Sequence, residues 1–372
     1  MTAAQDSAHM AQALALAARG LYTTDPNPRV GCVLVRDGRI LGEGWHERAG
    51  EAHAEINALR AAAASATGGA AGATAYVTLE PCSHTGRTPP CADALIAAGV
   101  RRVVCASVDP NPLVAGSGIA RLEAAGIAVT VGEGAAAARA LNPGFFSRFE
   151  RGRPWIRLKL AMSLDGRTAP AAGGPMWISG EASRADVQTW RARSSAVLTG
   201  AGTVRADDPR LDVRLAYGSV VRQPLRVVLD PALSCAPTAR VFAGGGALVF
   251  ARESVPEAPP VPGREVERVP AAPGGLDLTA VIERLTLRAV NELWVECGAR
   301  LAAAFLKARL VDELILYVAP ILLGADAAPL TALRDLGLDA AALPRFEFAD
   351  VERIGEDLRL TLTPAVAAIR RD

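Results

Sequence analysis

His53-Ala54-Glu55, followed by Thr78-Leu79-Glu80-Pro81-Cys82-Ser83-His84-Thr85-Gly86-Arg87-Thr88-Pro89-Pro90-Cys91, is the stretch on which the reading of this chain turns. One imidazole and two thiolates are zinc ligands, and three protein ligands leave a fourth position for water. Zinc lowers the pKa of such a water to about 7, which yields hydroxide near neutrality. A carboxylate two residues from the ligand histidine moves protons without coordinating. His53, Cys82 and Cys91 are therefore the expected ligands and Glu55 the expected proton carrier.

The flanking residues set these groups in a fold. Residues 53–64 are alanine-rich and helical, closed by Gly68-Gly69; 73–79 read as a buried strand and 92–98 as a second helix. His53 and Glu55 thus open one helix and Cys91 precedes another. Ligands arriving at helix N-termini meet partial positive charge, which favours thiolate. A histidine-x-glutamate paired with Pro-Cys is the zinc-deaminase signature, usually with two residues between the cysteines. Here eight residues, SHTGRTPP, separate them, so the generic spacing is not met. Two other readings exist. Cys82 and Cys91 could be small core residues with His53 a helix cap, or His84 could complete a four-ligand structural zinc. Glu55 argues against the second, because a structural site has no use for a proton shuttle. Cys32, Cys105, Cys235 and Cys297 sit in apolar runs and read as core.

Further out, residues 5–20 read as an amphipathic helix and not a signal peptide, since a basic start is lacking. A turn-rich loop, TTDPNPRVG, leads to strands at 30–35 and 39–45 joined at Asp37-Gly38, a hairpin signal. Strand 100–108, helix 119–125 and strand 127–131 complete an alternating block, its later strands parallel, ending near 142–153. A second block runs through strand 155–160, helix 181–193, strands 196–199, 225–229 and 247–251, helix 278–290, strand 292–297, helix 300–310 and strand 313–318. Residues 253–275, rich in Pro and Gly, read as a surface excursion, and 346–352 with 358–362 as a hairpin around Gly355.

The 372 residues suit two domains, and the expected division is 1–150 and 151–372. Half the residues are apolar and 21% charged, as in a folded globular protein. The 40 basic and 39 acidic side chains leave a formal charge of +1, which speaks against a general grip on nucleic acid or anionic lipid. No run reaches the ~18 apolar residues of a membrane span. Six cysteines in so long a chain do not make a disulfide scaffold, so a cytoplasmic location is expected. Only Lys159 and Lys307 are lysines.

DPNPRVGCVLV, HAE, VTLEPCSHTGRTPPC, DPNP, KLAMSLDG, ADDPRL and WVECGARL follow one another in that order. Together they resemble the bifunctional riboflavin-biosynthesis deaminase–reductases of bacteria over essentially the whole chain, and the eight-residue cysteine spacing is a feature of that family. The resemblance implies an α/β protein: an N-terminal cytidine-deaminase-like three-layer domain, then a dihydrofolate-reductase-like α/β domain. It implies a zinc-dependent hydrolytic deamination of 2,5-diamino-6-(5-phosphoribosylamino)pyrimidin-4-one, then an NADPH-dependent reduction of the ribosyl side chain to ribityl. A homo-oligomer acting on this small phosphoribosylaminopyrimidine, with no nucleic-acid or membrane partner, follows on the same basis. The competing expectation is a zinc deaminase of another base or nucleoside with an accessory second domain.

The resemblance also distributes roles. Asn27 can pair with a pyrimidine edge, and His46, Arg48, His84 and Arg87 flank the metal site, His46 as a substrate contact. In the second half no G-x-G-x-x-G follows a strand, so a Rossmann dinucleotide site is not supported. Instead Gly298, Ala299, Arg300, Leu301, Ala302, Ala303 and Ala304 follow a strand and open a helix, matching a cofactor loop in which backbone amides approach a pyrophosphate. Ala161, Trp177, Thr203 and Asp207 are implied to face NADPH; Arg191, Leu211, Arg214 and Glu296 are implied to face the substrate. Lys159 is the candidate acid–base group of the reduction, because lysine exchanges a proton near neutrality and arginine does not. Asp207 and Glu296 are its rivals. Pro175 and Pro231 stand where the family often has serine, which removes a hydroxyl and an amide donor at each position.

Overall fold

The computed structural model describes residues 2–65, 68–83, 90–171, 176–215, 222–257, 259–332 and 343–365. His84, Arg87 and Pro175 lie outside the described residues. The chain forms two compact units, Met1–Gly152 and Arg153–Asp372.

In the first unit, α1 (Ala3–Ala18) starts at a capping box in which Thr2 and Gln5 each satisfy the other's backbone N–H. The hairpin β1 (Gly31–Arg36) and β2 (Arg39–Trp45) turns at Asp37 and Gly38, both with positive φ. Then come α2 (Ala54–Ala64), β3 (Thr74–Val77), α3 (Cys91–Ala97), β4 (Arg102–Cys105), α4 (Ser117–Ala124), β5 (Ala128–Val131), α5 (Ala135–Leu141) and α6 (Pro143–Arg151). The sheet order is β2-β1-β3-β4-β5. The pairs β3–β4 and β4–β5 are parallel, and β1 is antiparallel to both its neighbours. Both faces are covered, which makes three layers. Met10, Ala13 and Leu16 of α1 and Ala138 of α5 pack on Val33, Val35, Tyr76 and Val104. Ala54, Ala58 and Ala62 of α2, Ala92 and Leu95 of α3 and Leu122 of α4 pack on Cys32, Leu34, Ala75, Val77 and Val103. The alanines of α2 have a reason. A Cβ at Gly42 would come 2.3 Å from the Ala58 carbonyl oxygen, and one at Gly44 2.4 Å from the Ala58 nitrogen. The helix thus lies directly on the backbone of β2, and its first turn is held in place.

The second unit contains β6 (Trp155–Ser163), β7 (Arg167–Ala169), α7 (Glu181–Arg193), β8 (Ala196–Gly200), α8 (Ala201–Asp207), β9 (Leu225–Leu229), β10 (Ala247–Arg252), β11 (Arg264–Val269), β12 (Ala271–Ala272), β13 (Gly275–Leu276), α9 (Leu278–Leu287), β14 (Glu292–Glu296), α10 (Ala299–Lys307), β15 (Glu313–Ala319), β16 (Ala328–Pro329), β17 (Phe346–Ile354) and β18 (Asp357–Pro364). A nine-stranded sheet runs β11-β10-β9-β8-β14-β6-β15-β18-β17. It is parallel from β11 to β15 and ends in the antiparallel hairpin β17–β18. Parallel strands must be buried on both faces. Val281, Ile282 and Leu285 of α9 and Ala302 and Phe305 of α10 cover one side; Val187 of α7 and Ala201 and Val204 of α8 cover the other.

Three differences from the sequence reading have physical causes. The 253–275 excursion contains β11, whose pattern REVERV buries only Val269 and which depends on pairing with β10. Cys91 is the first residue of α3 and does not precede it. Helices α5, α6 and α8 are too short to show a period; α6 begins with Pro143 at its first turn.

Candidate active sites

The first site is assembled from three backbone segments. His53 is the N-cap of α2, Cys82 follows β3 in a loop, and Cys91 opens α3. The His53 Nδ1 lies 3.6 Å from the Cys82 Sγ and 3.4 Å from the Cys91 Sγ, and the three ligand atoms fall within 4.8 Å of one another. Zinc–sulfur bonds of about 2.3 Å and zinc–nitrogen bonds of about 2.05 Å, set at a tetrahedral angle, separate N and S by about 3.5 Å. The trio fits that ion. Of the two thiols Cys82 loses its proton readily, and Cys91 keeps its own and donates it to the Cys82 sulfur. Hydrogen bonding from the Cys91 thiol, from His53 and from the Cys91 N–H (3.3 Å) depresses Cys82 to about 4, while Cys91 as donor is pushed up.

Glu55, on the first turn of α2, is 3% exposed. Burial pushes its carboxyl up to about 7, against the pull of His53. A carboxyl poised there both takes and returns protons at neutral pH. His46 is buried and stands edge-on to His53, with ring centroids 5.3 Å apart. Its Nδ1 faces the Ala52 carbonyl at 3.1 Å and therefore carries the proton; its Nε2 then accepts from the Asn27 amide, also at 3.1 Å. Among the described residues the Asn27 side-chain carbonyl oxygen has no hydrogen-bond donor. The Asn27 loop is anchored by Arg29, whose N–H donates to Asn142 Oδ1 at 2.8 Å while Nη1 donates to the Leu141 carbonyl at 3.0 Å. Arg48 is exposed and pairs with Glu51.

The second constellation lies where the end of β14 meets the middle of β6. Lys159 on β6 and Glu296 on β14 are register neighbours. Glu296 accepts from Arg191 Nε (2.6 Å) and Nη2 (2.8 Å) and from the Trp294 indole (2.8 Å). Burial would raise its pKa, but the Arg191 charge prevails and holds it at about 2. Lys159 makes no hydrogen bond to a described residue; its ammonium sits 5.8 Å from the centroid of the Tyr317 ring. Burial lowers its pKa, opposed by Glu296. Arg191 also donates to the Asp212 carbonyl at 3.1 Å, so its guanidinium is occupied. Arg214 is exposed and pairs with the Asp212 carboxylate, which Arg210 also reaches at 2.7 Å. Leu211, between them, is buried with a φ of 54°. Thr203 and Asp207 lie on α8, and Trp177 is exposed beneath the Arg184 guanidinium, 5.0 Å from its ring. Gly298 caps α10, and a Cβ there would meet nothing within 4 Å, so the start of that helix is open to a ligand. Pro231, just past β9, accepts from the Arg252 N–H at 3.2 Å through its carbonyl.

Residues 3–107 match the cytidine and deoxycytidylate deaminase zinc-binding region, and residues 154–360 match the RibD C-terminal domain. The riboflavin biosynthesis protein RibD of Escherichia coli (strain K12) is 50% identical over 376 residues, covering 97% of this chain and all of that protein. The chain belongs to the RibD family.

The RibD of Haemophilus influenzae is 47% identical, covering 97% of this chain and 98% of its own. Among solved structures, Acinetobacter baumannii RibD superposes with a TM-score of 0.89 at 44% identity, covering 98% and 99% of the two chains. A Thermotoga maritima diaminohydroxyphosphoribosylaminopyrimidine deaminase/5-amino-6-(5-phosphoribosylamino)uracil reductase does so at 0.84 and 32% identity, covering 97% and 99%. As a RibD protein the chain is a bifunctional enzyme of riboflavin biosynthesis, with a zinc-binding deaminase domain of cytidine-deaminase-like fold and an NADPH-dependent reductase domain. Some residues of this RibD site escaped the sequence reading. Asp186 accepts from the Tyr317 hydroxyl (2.6 Å) and from Arg359 (2.9 Å), and so fixes the ring beneath Lys159. Nothing in their spacing joins residues from α7, β15 and β18; the sheet does. Glu80, by contrast, lies in the sequence run that carries Cys82.

Proposed function

We propose that the first unit deaminates 2,5-diamino-6-(5-phosphoribosylamino)pyrimidin-4-one and that the second reduces the ribosyl group of the product. His53, Cys82 and Cys91 hold zinc, which when bound supplies Lewis acidity and lowers the pKa of a coordinated water. Glu55 takes a proton from the attacking water and gives it to the ring nitrogen, then takes the proton of the newly added hydroxyl and gives it to the departing amine as the carbonyl forms. Water adds at the amine-bearing carbon, the C–N bond breaks and ammonia leaves. The Asn27 carbonyl oxygen accepts from the pyrimidine edge, and His46 keeps that amide in the required orientation. The observation that carries this reading is the buried carboxyl of Glu55, on the first turn of α2 two residues from His53, beside a three-ligand cluster of zinc-matched spacing.

In the second unit the open ribose forms an imine at the anomeric carbon. NADPH, when bound along Gly298–Ala304 with Ala161, Trp177, Thr203 and Asp207 around it, supplies the hydride for that carbon. Lys159 supplies the proton. Glu296, held ionised by Arg191, has no proton to give at neutral pH, and Asp207 is exposed on α8. Arg214 and Leu211 border the phosphoribosyl group, while Arg191 acts from behind Glu296.

The small pyrimidine is thus the partner, and we expect the enzyme to work as a homo-oligomer in the cytosol, where its six free cysteines stay reduced. Among the described residues no helix is long and apolar enough to cross a membrane. Purified protein given the diaminopyrimidine and NADPH should release ammonia and oxidise cofactor, one of each per substrate. Ammonia release from cytidine or a free base instead would overturn the substrate assignment.

A further inference from the structure

Glu80 lies two residues before Cys82, is 4% exposed, and takes no part in the chemistry above. Its carboxylate accepts four backbone N–H groups: Asp109 (3.1 Å) and Gly116 (2.9 Å) on Oε2, Gly118 (2.8 Å) and Ile119 (3.2 Å) on Oε1. All four come from one segment, which opens with Asp109-Pro110-Asn111-Pro112 and runs into α4. Hydrogen bonds to an ionised acceptor are roughly twice as strong as neutral ones. The same segment presses on the next residue. A Cβ at Gly118 would fall 1.9 Å from the Pro81 carbonyl oxygen, so only glycine lets α4 start there. From the other side, the start of α3 holds Cys82: the Cys91 N–H donates to its Sγ at 3.3 Å and the Ala92 N–H to its carbonyl at 3.1 Å.

We infer that Glu80 is a positioning residue for the metal site: it clamps the Pro81-Cys82 segment against α4 so that the Cys82 sulfur meets Cys91 and His53. The inference rests on the reading of Cys82 as a ligand. Glutamine keeps the shape of Glu80 but turns one acceptor oxygen into a donor that faces N–H groups, leaving two of them unpaired.

The test uses the full-length chain loaded with cobalt(II) in place of zinc. Glu80→Gln should shift the thiolate-to-cobalt absorption and speed metal loss to a chelator about tenfold or more, the range for outer-shell partners of metal ligands. Reductase activity of the same preparation should stay at the wild-type level. Gly118→Ala, which pushes the Pro81 carbonyl away from the same α4 segment, should shift the same band. A lowered melting temperature with wild-type absorption and wild-type metal retention would overturn the inference. If Glu80→Gln does not fold, an unshifted band in Gly118→Ala overturns it instead. A wild-type chain without the thiolate band, or a band that survives Cys82→Ala, would sink the ligand assignment and the inference with it.

Discussion

Glu296 and Lys159 sit side by side on adjacent parallel strands, yet the Glu296 carboxylate turns to Arg191 and makes no ion pair with Lys159. The lysine is left as an uncommitted ammonium above an aromatic ring. Removing Arg191 should therefore leave a buried carboxylate without its partner, a loss of about 3–5 kcal/mol. In denaturant melts Arg191→Ala should be clearly less stable than Arg191→Ala combined with Glu296→Gln. Equal stabilities would mean that the pair is not coupled.

The same pair sets an acid limit. The folded pKa of Glu296, about 2, lies below its ordinary value of 4.5. Its contribution is whole above that ordinary value and is lost as pH falls toward 2. Between those limits the wild type should lose stability on acidification faster than Glu296→Gln, measured by melting temperature against pH.

Lys159→Arg keeps a positive charge and removes proton exchange. Reduction of the deaminated intermediate should fall by about 10²–10⁴, with the KM for NADPH little changed. Burial lowers the Lys159 pKa, so the wild-type rate should decline with rising pH earlier than for an exposed lysine. A variant of near-normal rate would move the acid role elsewhere.

Glu55→Gln should bind zinc as the wild type does, yet lose ammonia release by at least about 10²–10⁴, the usual share of general acid–base catalysis. The variant should still oxidise NADPH when supplied with the deaminated intermediate. Loss of both activities would show that the two sites are not independent.

Stripping the metal should abolish deamination and spare reduction, and zinc should restore what was lost. In the stripped protein the depressed pKa of Cys82 predicts its alkylation ahead of the other five cysteines, and added zinc should protect it. Mass spectrometry of the modified peptide reads the outcome.

His53, Cys82 and Cys91 could be grouped from the sequence because metal chemistry restricts residue type, and the fold brings the three together. The hairpin at Asp37-Gly38 was legible through its turn chemistry. The edge strand β11 was not, since its exposed, charged pattern acquires meaning only beside β10. Nor was the Arg191–Glu296 pair, which forms only where α7 packs beside β14.

The sequence by itself determined the alternating α/β order, the residue types of the candidate metal cluster with a carboxyl beside them, and the lysine that stands out among arginines. Each depends on what one residue, or a few neighbours along the chain, can chemically do. The tertiary structure alone decided which charges are neutralised. Arg191 closes on Glu296 and leaves Lys159 open, four amides close on Glu80, and His46 orients Asn27. These outcomes depend on distances of a few ångströms between segments far apart in the chain, and electrostatic and hydrogen-bond energies are set by distance and burial, not by order along the backbone.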